Sequence, residues 1–244
     1  MNILVTGASS GIGRALVVQL VTAGHEVIGI ARREQELNAL QRELHSPKFI
    51  TRACDVANQE KVEQFIHDLA ARQWLPDTAV LGAGIFPDDI HPAFNLEQFR
   101  TIVEINLYGV LNFINALLPY YVQLHKGHFI ALGSMAMYRG SMRGAGYPAS
   151  KAALLTAMKS LALRYRSEHI QFSTIIFGPI ATAMWEGKKS FLTPTPTHAA
   201  RYIVTRIKAP KELSYFPLLS TTLYRMSLMI PDGLFVSLSE KLLK

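Results

Sequence analysis

A tyrosine and a lysine four residues apart, Tyr147 and Lys151, open a long run of helical period, and Ser134 precedes the tyrosine by 13 residues. Side chains at i and i+4 of a helix share one face, so the ammonium can lie beside the phenol or reach a common ligand with it. A free phenol titrates at about 10 and exchanges protons poorly near neutral pH. Positive charge nearby favours the phenolate, and lowering its pKa by about two units needs roughly 2.7 kcal/mol of differential stabilisation. Ser134 follows a strand candidate, where its hydroxyl can polarise a carbonyl oxygen. These residue types describe proton transfer to an oxygen-bearing carbon, although a Tyr–Lys pair by itself recurs by chance on many helices.

A second constellation lies at the start of the chain. Thr6-Gly7-Ala8-Ser9-Ser10-Gly11-Ile12-Gly13 follows an apolar strand candidate and leads straight into a helix. Glycines let the backbone approach a pyrophosphate, and the free amides at a helix start favour negative charge. The strand before and the helix after separate this turn from an ordinary glycine turn and make it a phosphate cradle. At the end of the next strand, a carboxylate would accept the ribose hydroxyls of NAD. Ala31, Arg32 and Arg33 stand there instead, so a 2′-phosphate meets guanidinium groups rather than a repelling charge. NADP(H) is therefore the expected cofactor. Asp55 and Val56, after the third strand, are expected near the adenine, with a helix-capping aspartate as the competing assignment.

The elements that must position these groups alternate. Residues 2–6, 26–31, 48–53, 78–81, 128–132 and 171–176 read as short apolar strands. Residues 13–23, 34–44, 59–73, 96–118 and 148–166 read as helices, with apolar residues recurring three or four apart. Crossovers of that length force parallel pairing, which predicts an α/β fold: a Rossmann-like doubly wound parallel sheet in three layers (α/β/α) and a single domain. Ligands of such sheets bind beyond the carboxyl ends of the strands, where the winding reverses.

Composition agrees with one globular unit. Of 244 residues, 49% are hydrophobic and 18% charged, enough apolar mass to bury a core without staples. Cys54 is the single cysteine, so no internal disulfide forms and a metal–thiolate site is excluded. The histidines show no ligand spacing, and no metal is expected. The net charge of +7 is scattered from Arg14 to Lys244 rather than clustered, which argues against nucleic acid. No stretch of 18 residues is both uncharged and apolar throughout, so no spanning helix is expected. The opening residues lack the basic region and cleavage site of a secretory signal, and a cytoplasmic location is expected.

With T-G-x-x-x-G-x-G, Ser134, Tyr147 and Lys151 in order, the sequence resembles the short-chain dehydrogenase/reductase family in its classical form, over roughly residues 1–210. Asn106, in Ile105-Asn106-Leu107-Tyr108-Gly109, and the run Gly178-Pro179-Ile180-Ala181-Thr182 extend the likeness. The resemblance implies Asn106, Ser134, Tyr147 and Lys151 as the catalytic set. Serine would orient the carbonyl, tyrosine act as acid or base, lysine also bond the nicotinamide ribose, and asparagine hold a water in a proton relay. A helix-kinking role for Asn106 is compatible with that. It implies cofactor contacts from Gly7, Ser9, Ser10, Gly11, Ile12, Gly13, Ala83 and Gly84, and from the Ile180 backbone and the Thr182 hydroxyl at the carboxamide. It also implies a homodimer or homotetramer paired through the fourth and fifth helices.

Two departures stand out. Leu81-Gly82-Ala83-Gly84 occupies the place where the family has Asn-Asn-Ala-Gly, so an asparagine that ties strands together is missing and lower local order is expected. Phe177 replaces a proline before Gly178, which is expected to alter the turn under the nicotinamide. Residues 183–197 are expected to form a lid, and Met184, Trp185, Phe191 and Leu192 suit an apolar or bulky carbonyl or alcohol substrate. Arg139 and Arg143 could meet an acidic group on a ligand, though solvated loop arginines are commoner. From residue 213 to 244 the chain reads as an amphipathic extension, with Leu219, Leu223, Met226 and Ile230 in one stripe and Leu234, Leu238 and Leu242 in another. Its nearly balanced charge weakens attraction to anionic lipid, so packing against this protein or a sister subunit is favoured over a membrane. The competing functional reading is an NADPH-binding sensor without turnover, possible also at a membrane surface through the tail. The intact Ser134, Tyr147 and Lys151 weigh against it.

Overall fold

A computed structural model describes residues 1–87, 94–141, 143–184, 193–231 and 233. Seven strands make one parallel sheet: β1 (Asn2–Thr6), β2 (Glu26–Ala31), β3 (Phe49–Ala53), β4 (Thr78–Leu81), β5 (Gly127–Ser134), β6 (Ile170–Phe177) and β7 (Leu213–Phe216), in the order β3-β2-β1-β4-β5-β6-β7. Strands covered on both faces are continuous apolar runs, and Ile3, Leu4 and Val5 of β1 are all buried.

The helices are α1 (Gly11–Thr22), α2 (Glu34–Leu44), α3 (Gln59–Ala71), α4 (Leu96–Val103), α5 (Gly109–Leu124), α6 (Gly146–Arg164), α7 (Pro196–Lys208) and α8 (Leu218–Ser227). Local chemistry sets several of their starts. Asn58 caps α3 by accepting from the Lys61 amide, and Asn95 caps α4 by accepting from the Gln98 amide. Pro196 opens α7, where no amide partner is lost. One core, including Leu16, Leu20 and Ile203, joins α1 and α7 to the sheet. Another, including Phe113, Phe129 and Leu154, joins α5 and α6 to its opposite face.

The order of strands reverses between β1 and β4, so the turns after these two strands flank the crevice where ligands of such sheets settle. The expected helix over 96–118 runs on to Leu124 and is interrupted by a π-helical turn, Glu104–Tyr108. The stretch Leu96–Leu124 has the length and apolar composition to cross a membrane, with a mean hydropathy of 1.4, but half of that window is buried within the protein.

The C-terminal region departs from expectation. Leu213–Phe216, read in the sequence as the beginning of an extension, is a strand that pairs in parallel with Thr174, Ile175, Ile176 and Phe177 of β6. The stripe beyond it is not packed away: Leu219, Leu223 and Met226 are 56%, 52% and 61% exposed. Leu234, Leu238 and Leu242 lie outside the described residues.

Candidate active site

The glycine-rich turn after β1 folds as a cradle. Gly7 and Gly11 have φ of +75° and +54°, in the left-handed region that side chains disfavour. A methyl group added to Gly13 would stand 2.2 Å from the Gly7 carbonyl oxygen, so α1 can approach β1 this closely only with hydrogen there. Ser10 takes the cap position of α1 in extended conformation without bonding a helix amide through its side chain. The first-turn amides thus stay available to an anion, which fits a pyrophosphate. Ile12 packs partly buried on the core behind the turn.

Arg33, just before α2, reaches back to this cradle. Its Nη2 donates to Ser9 Oγ at 2.9 Å and to Ser10 Oγ at 2.7 Å. Arg32 beside it is exposed. Of the two guanidinium groups expected from the sequence, that of Arg33 therefore stands at the mouth of the glycine turn. Farther along the edge, Asp55 accepts from the Ala57 amide at 3.1 Å, and Val56 is buried with its carbonyl accepting from Asn112 Nδ2 at 2.9 Å. The cap of α3 is Asn58, so Asp55 is not the helix-capping aspartate that was its competing assignment.

The departure at Gly82 goes with close packing: a Cβ there would meet Leu132 Cδ1 at 2.8 Å, so a larger residue would need that methyl group to shift. The order expected to be lost is supplied by Thr6, whose Oγ1 accepts from the Gly82 amide at 3.0 Å and the Ala83 amide at 3.1 Å. Gly84 follows, close to Asn106 and Lys151.

Asn106 sits in the π-helical turn and is fully buried. Its Oδ1 accepts from the Ile85 amide at 2.8 Å, while Nδ2 donates to the Ile85 carbonyl at 2.9 Å and to Ser150 Oγ at 3.3 Å. The side chain therefore fixes the backbone after β4 and touches the helix that carries the tyrosine. Single π-turns inside helices recur at functional sites, and here the turn aims a polar side chain inward. Asn106 thus stands in the π-helical turn, next to Gly84 and Ser150.

Tyr147 enters on the first turn of α6, where Pro148 is tolerated. Its phenol is hydrogen-bonded to the Ser134 side chain at the end of β5. Burial pushes the phenol above its ordinary pKa and the Ser134 bond pulls it partly back. Lys151 lies one turn on, with Nζ 5.7 Å from the centre of the tyrosine ring and donating to the Leu132 carbonyl at 2.9 Å. Burial pulls its amine down to about 8. Among the protein's own groups desolvation dominates at Tyr147, so the phenol stands above its ordinary value, and the expected lowering needs positive charge beyond that of Lys151, such as the oxidised nicotinamide.

The last expected segment also reaches the crevice. Ile180 is buried, so it can offer only backbone, and its carbonyl accepts from the Thr182 amide at 2.7 Å. Thr182 Cγ2 stands 3.4 Å from the position of a Cβ on Gly11, which sets this loop against the glycine turn. Phe177 extends β6 and pairs with Phe216. The Ala181 amide donates to the Pro194 carbonyl at 3.0 Å and so ties the two feet of the 183–197 segment together. Met184 is 41% exposed at one foot, and Trp185, Phe191 and Leu192 lie outside the described residues.

Three contacts carry no local signal in the sequence. The Phe86 ring lies 4.4 Å from the Tyr147 ring, and the Arg143 guanidinium lies 4.8 Å over Phe86. Ser150 Oγ donates to the Tyr147 carbonyl at 2.8 Å. Arg139 does not face the crevice as a ligand for an acid: its Nη2 donates to the carbonyls of Ser227 and Ile230 at 3.0 and 2.6 Å, capping the end of α8. Among the described residues no group of three or more His, Cys, Asp and Glu could hold a metal.

Comparison with known proteins agrees with this fold. Residues 1–192 match the family described as short chain dehydrogenase. An uncharacterized oxidoreductase of Myxococcus xanthus is 30% identical over 98% of this chain and 96% of its own length. An NADPH-dependent pterin aldehyde reductase of Arabidopsis thaliana is 32% identical over 66% of this chain and 67% of its own. Among solved structures, the closed form of serine dehydrogenase complexed with NADP+ superposes with a TM-score of 0.80 at 24% identity, over 88% of this chain and 94% of that one, a likeness of fold.

Proposed function

The chain belongs to the short-chain dehydrogenase family, and from that premise we propose that it interconverts a carbonyl and an alcohol with NADPH, Tyr147 being the group that moves the proton. As a member of that family it is an oxidoreductase with a nicotinamide cofactor. The observation that carries the finer reading is the convergence of Ser134, Tyr147 and Lys151, with Lys151 against Gly84 in the turn after β4 and Gly82 of that turn packed on Gly7. The Ser134 side chain is bonded to the phenol, and the lysine amine is one helical turn away.

Held by the glycine turn and Arg33, NADPH would supply hydride to the carbonyl carbon. The chain's own groups do the rest. Ser134 holds the substrate oxygen by hydrogen bonding, where charge develops as the carbonyl is reduced. Tyr147 donates its proton to that oxygen and leaves a phenolate, which the buried Lys151 ammonium stabilises across the short gap. In the alcohol-oxidising direction the same phenolate takes the proton back. Asn106 keeps the floor of the site rigid by holding both backbone polar groups of Ile85.

Preference for NADPH over NADH is supported by Arg33 at the glycine turn, by Arg32 beside it, and by Ala31 where a ribose-binding carboxylate would stand. An apolar or bulky substrate is supported by the Phe86 ring beside the tyrosine and by exposed Met184. The test is Tyr147→Phe assayed with NADPH against a panel of ketones and aldehydes. The expected result is loss of turnover with NADPH affinity nearly unchanged. Equal activity in the variant would remove Tyr147 from the mechanism, and a preference for NADH would overturn the cofactor assignment.

A further inference from the structure

The described surface carries one concentrated set of exposed large apolar side chains that the reaction does not use. Leu218, Leu219, Leu223, Met226 and Met229 are 72%, 56%, 52%, 61% and 87% exposed. All lie on α8 or just past its end. Leu219, Leu223 and Met226 follow the four- and three-residue spacing that puts side chains on one helical face. Scattered exposed apolar residues are ordinary on a protein surface, but a contiguous group is a contact site.

The helix is held as a fixed platform. Arg139 bonds the carbonyls of Ser227 and Ile230 at its end. The Arg225 guanidinium lies 4.5 Å over the Tyr215 ring, whose hydroxyl is 2.9 Å from that of Tyr138. Thr221 is fully buried beneath the helix and bonds the Pro217 carbonyl at 2.7 Å. The polar and aromatic side of α8 is thus committed to the protein, and the leucine and methionine side is turned outward.

Charge selects the occupant. From Thr193 to Pro231 the sequence holds Arg201, Arg206, Lys208, Lys211 and Arg225 against a single carboxylate, Glu212. That carboxylate is paired with Arg166 at 3.1 Å. An apolar helix face within a strongly basic stretch matches an anionic lipid surface, which takes the apolar side chains into its acyl boundary and attracts the cations at its headgroups. A two-fold contact with a second copy would instead set the Arg225 regions of two chains near one another. The balance of charge read over 213–244 missed this because most of the cations come before it: Arg201, Arg206 and Lys208 are on α7 and Lys211 precedes β7. Tyr202 of α7, with Arg206 over its ring, stacks on Phe216 at the foot of α8.

We propose that α8 docks the protein on anionic membranes, with Leu219, Leu223 and Met226 inserted at the level of the headgroups. The test is sedimentation of the full-length chain with vesicles of phosphatidylcholine alone and of phosphatidylcholine with phosphatidylglycerol, at low and high salt. The wild type is expected to sediment with the anionic vesicles and to be released by salt. The variant with Leu219→Ser, Leu223→Ser and Met226→Ser is expected to bind at least about tenfold more weakly, with its circular dichroism and NADPH affinity unchanged. Arg225→Glu is expected to weaken binding only to the anionic vesicles. No vesicle binding by the wild type, equal binding by the triple variant, or equal binding to both vesicle types overturns the proposal. A dimer of the wild type that the triple variant loses, without vesicle binding, assigns the face to a second copy and overturns it as well. Vesicle binding is read without turnover, so it stands or falls independently of the Tyr147 mechanism.

Discussion

Phe86 closes one face of Tyr147: the two rings are 4.4 Å apart at centre and tilted by 32°. An aromatic pair of this kind contributes about 0.5–1.5 kcal/mol beyond its area, and here it also keeps water from the phenol. Phe86→Ala is therefore expected to lower kcat/KM by roughly threefold to tenfold. Because burial is what raises the Tyr147 phenol, wetting it moves the upper of the two alkaline limbs of the pH–rate profile for carbonyl reduction, the one above the Lys151 step, to lower pH. Phe86→Leu keeps the cover and should restore that limb. A profile identical in all three proteins would show that the ring does not shield the phenol.

The cofactor preference rests on a single side chain more than on composition. Arg33 is oriented by two serine hydroxyls of the glycine turn, so its charge is already placed before any ligand arrives. A charge-assisted hydrogen bond contributes about 1.5–3 kcal/mol, which predicts a loss of roughly tenfold to a hundredfold in NADPH affinity for Arg33→Ala. NADH, lacking the 2′-phosphate, should bind nearly as before. Fluorescence titration with both nucleotides measures the ratio, and an equal loss for the two would place Arg33 at the pyrophosphate instead.

Lys151 makes activity depend on pH through its own ionisation. Burial lowers its amine to about 8, so the ammonium is present at neutral pH and is lost as pH rises through that value. Removal of that charge leaves the Tyr147 phenolate without its stabilising partner, and kcat/KM for carbonyl reduction should fall above about pH 8. Lys151→Arg, whose guanidinium stays charged, should be slower overall but flat across the same range. A wild-type profile flat to pH 9.5 or so would mean that the amine is not the titrating group.

The parts of the site that were legible in the sequence are those whose chemistry is local. The glycine turn needs only its own φ angles and the helix that follows, and Tyr147 and Lys151 need only helical spacing. Asn106 and Thr182 could be named from resemblance, but the π-turn that buries the asparagine has no signature in Glu104 to Tyr108. Phe86 lies 61 residues before Tyr147, and the two meet only because β4 and β5 are neighbours in the sheet. β7 escaped notice because four residues between a helix and a proline give too short an alternation to read. Arg139 reads in the sequence as a solvated loop arginine that could meet an acidic group, and only the fold shows that the end of α8, some 90 residues away, takes its hydrogen bonds.

His128 ties stability to acid rather than to the reaction. It is buried in β5, with Nε2 2.8 Å from Ser173 Oγ, and burial lowers its pKa from 6.5 to about 4. Between those values the unfolded chain holds a proton that the folded one does not, so stability is complete above about pH 6.5 and declines as pH falls toward 4. By pH 5 the loss from this one group is about 2 kcal/mol, or roughly 4–8 °C in Tm for a chain of this size. His128→Gln can still bond Ser173 but does not titrate. Whatever its absolute Tm, its decline between pH 7.5 and 5 should be smaller than that of the wild type by roughly this amount. Parallel Tm curves for the two proteins in differential scanning calorimetry would mean that the imidazole is already charged, or already solvated, in the native state.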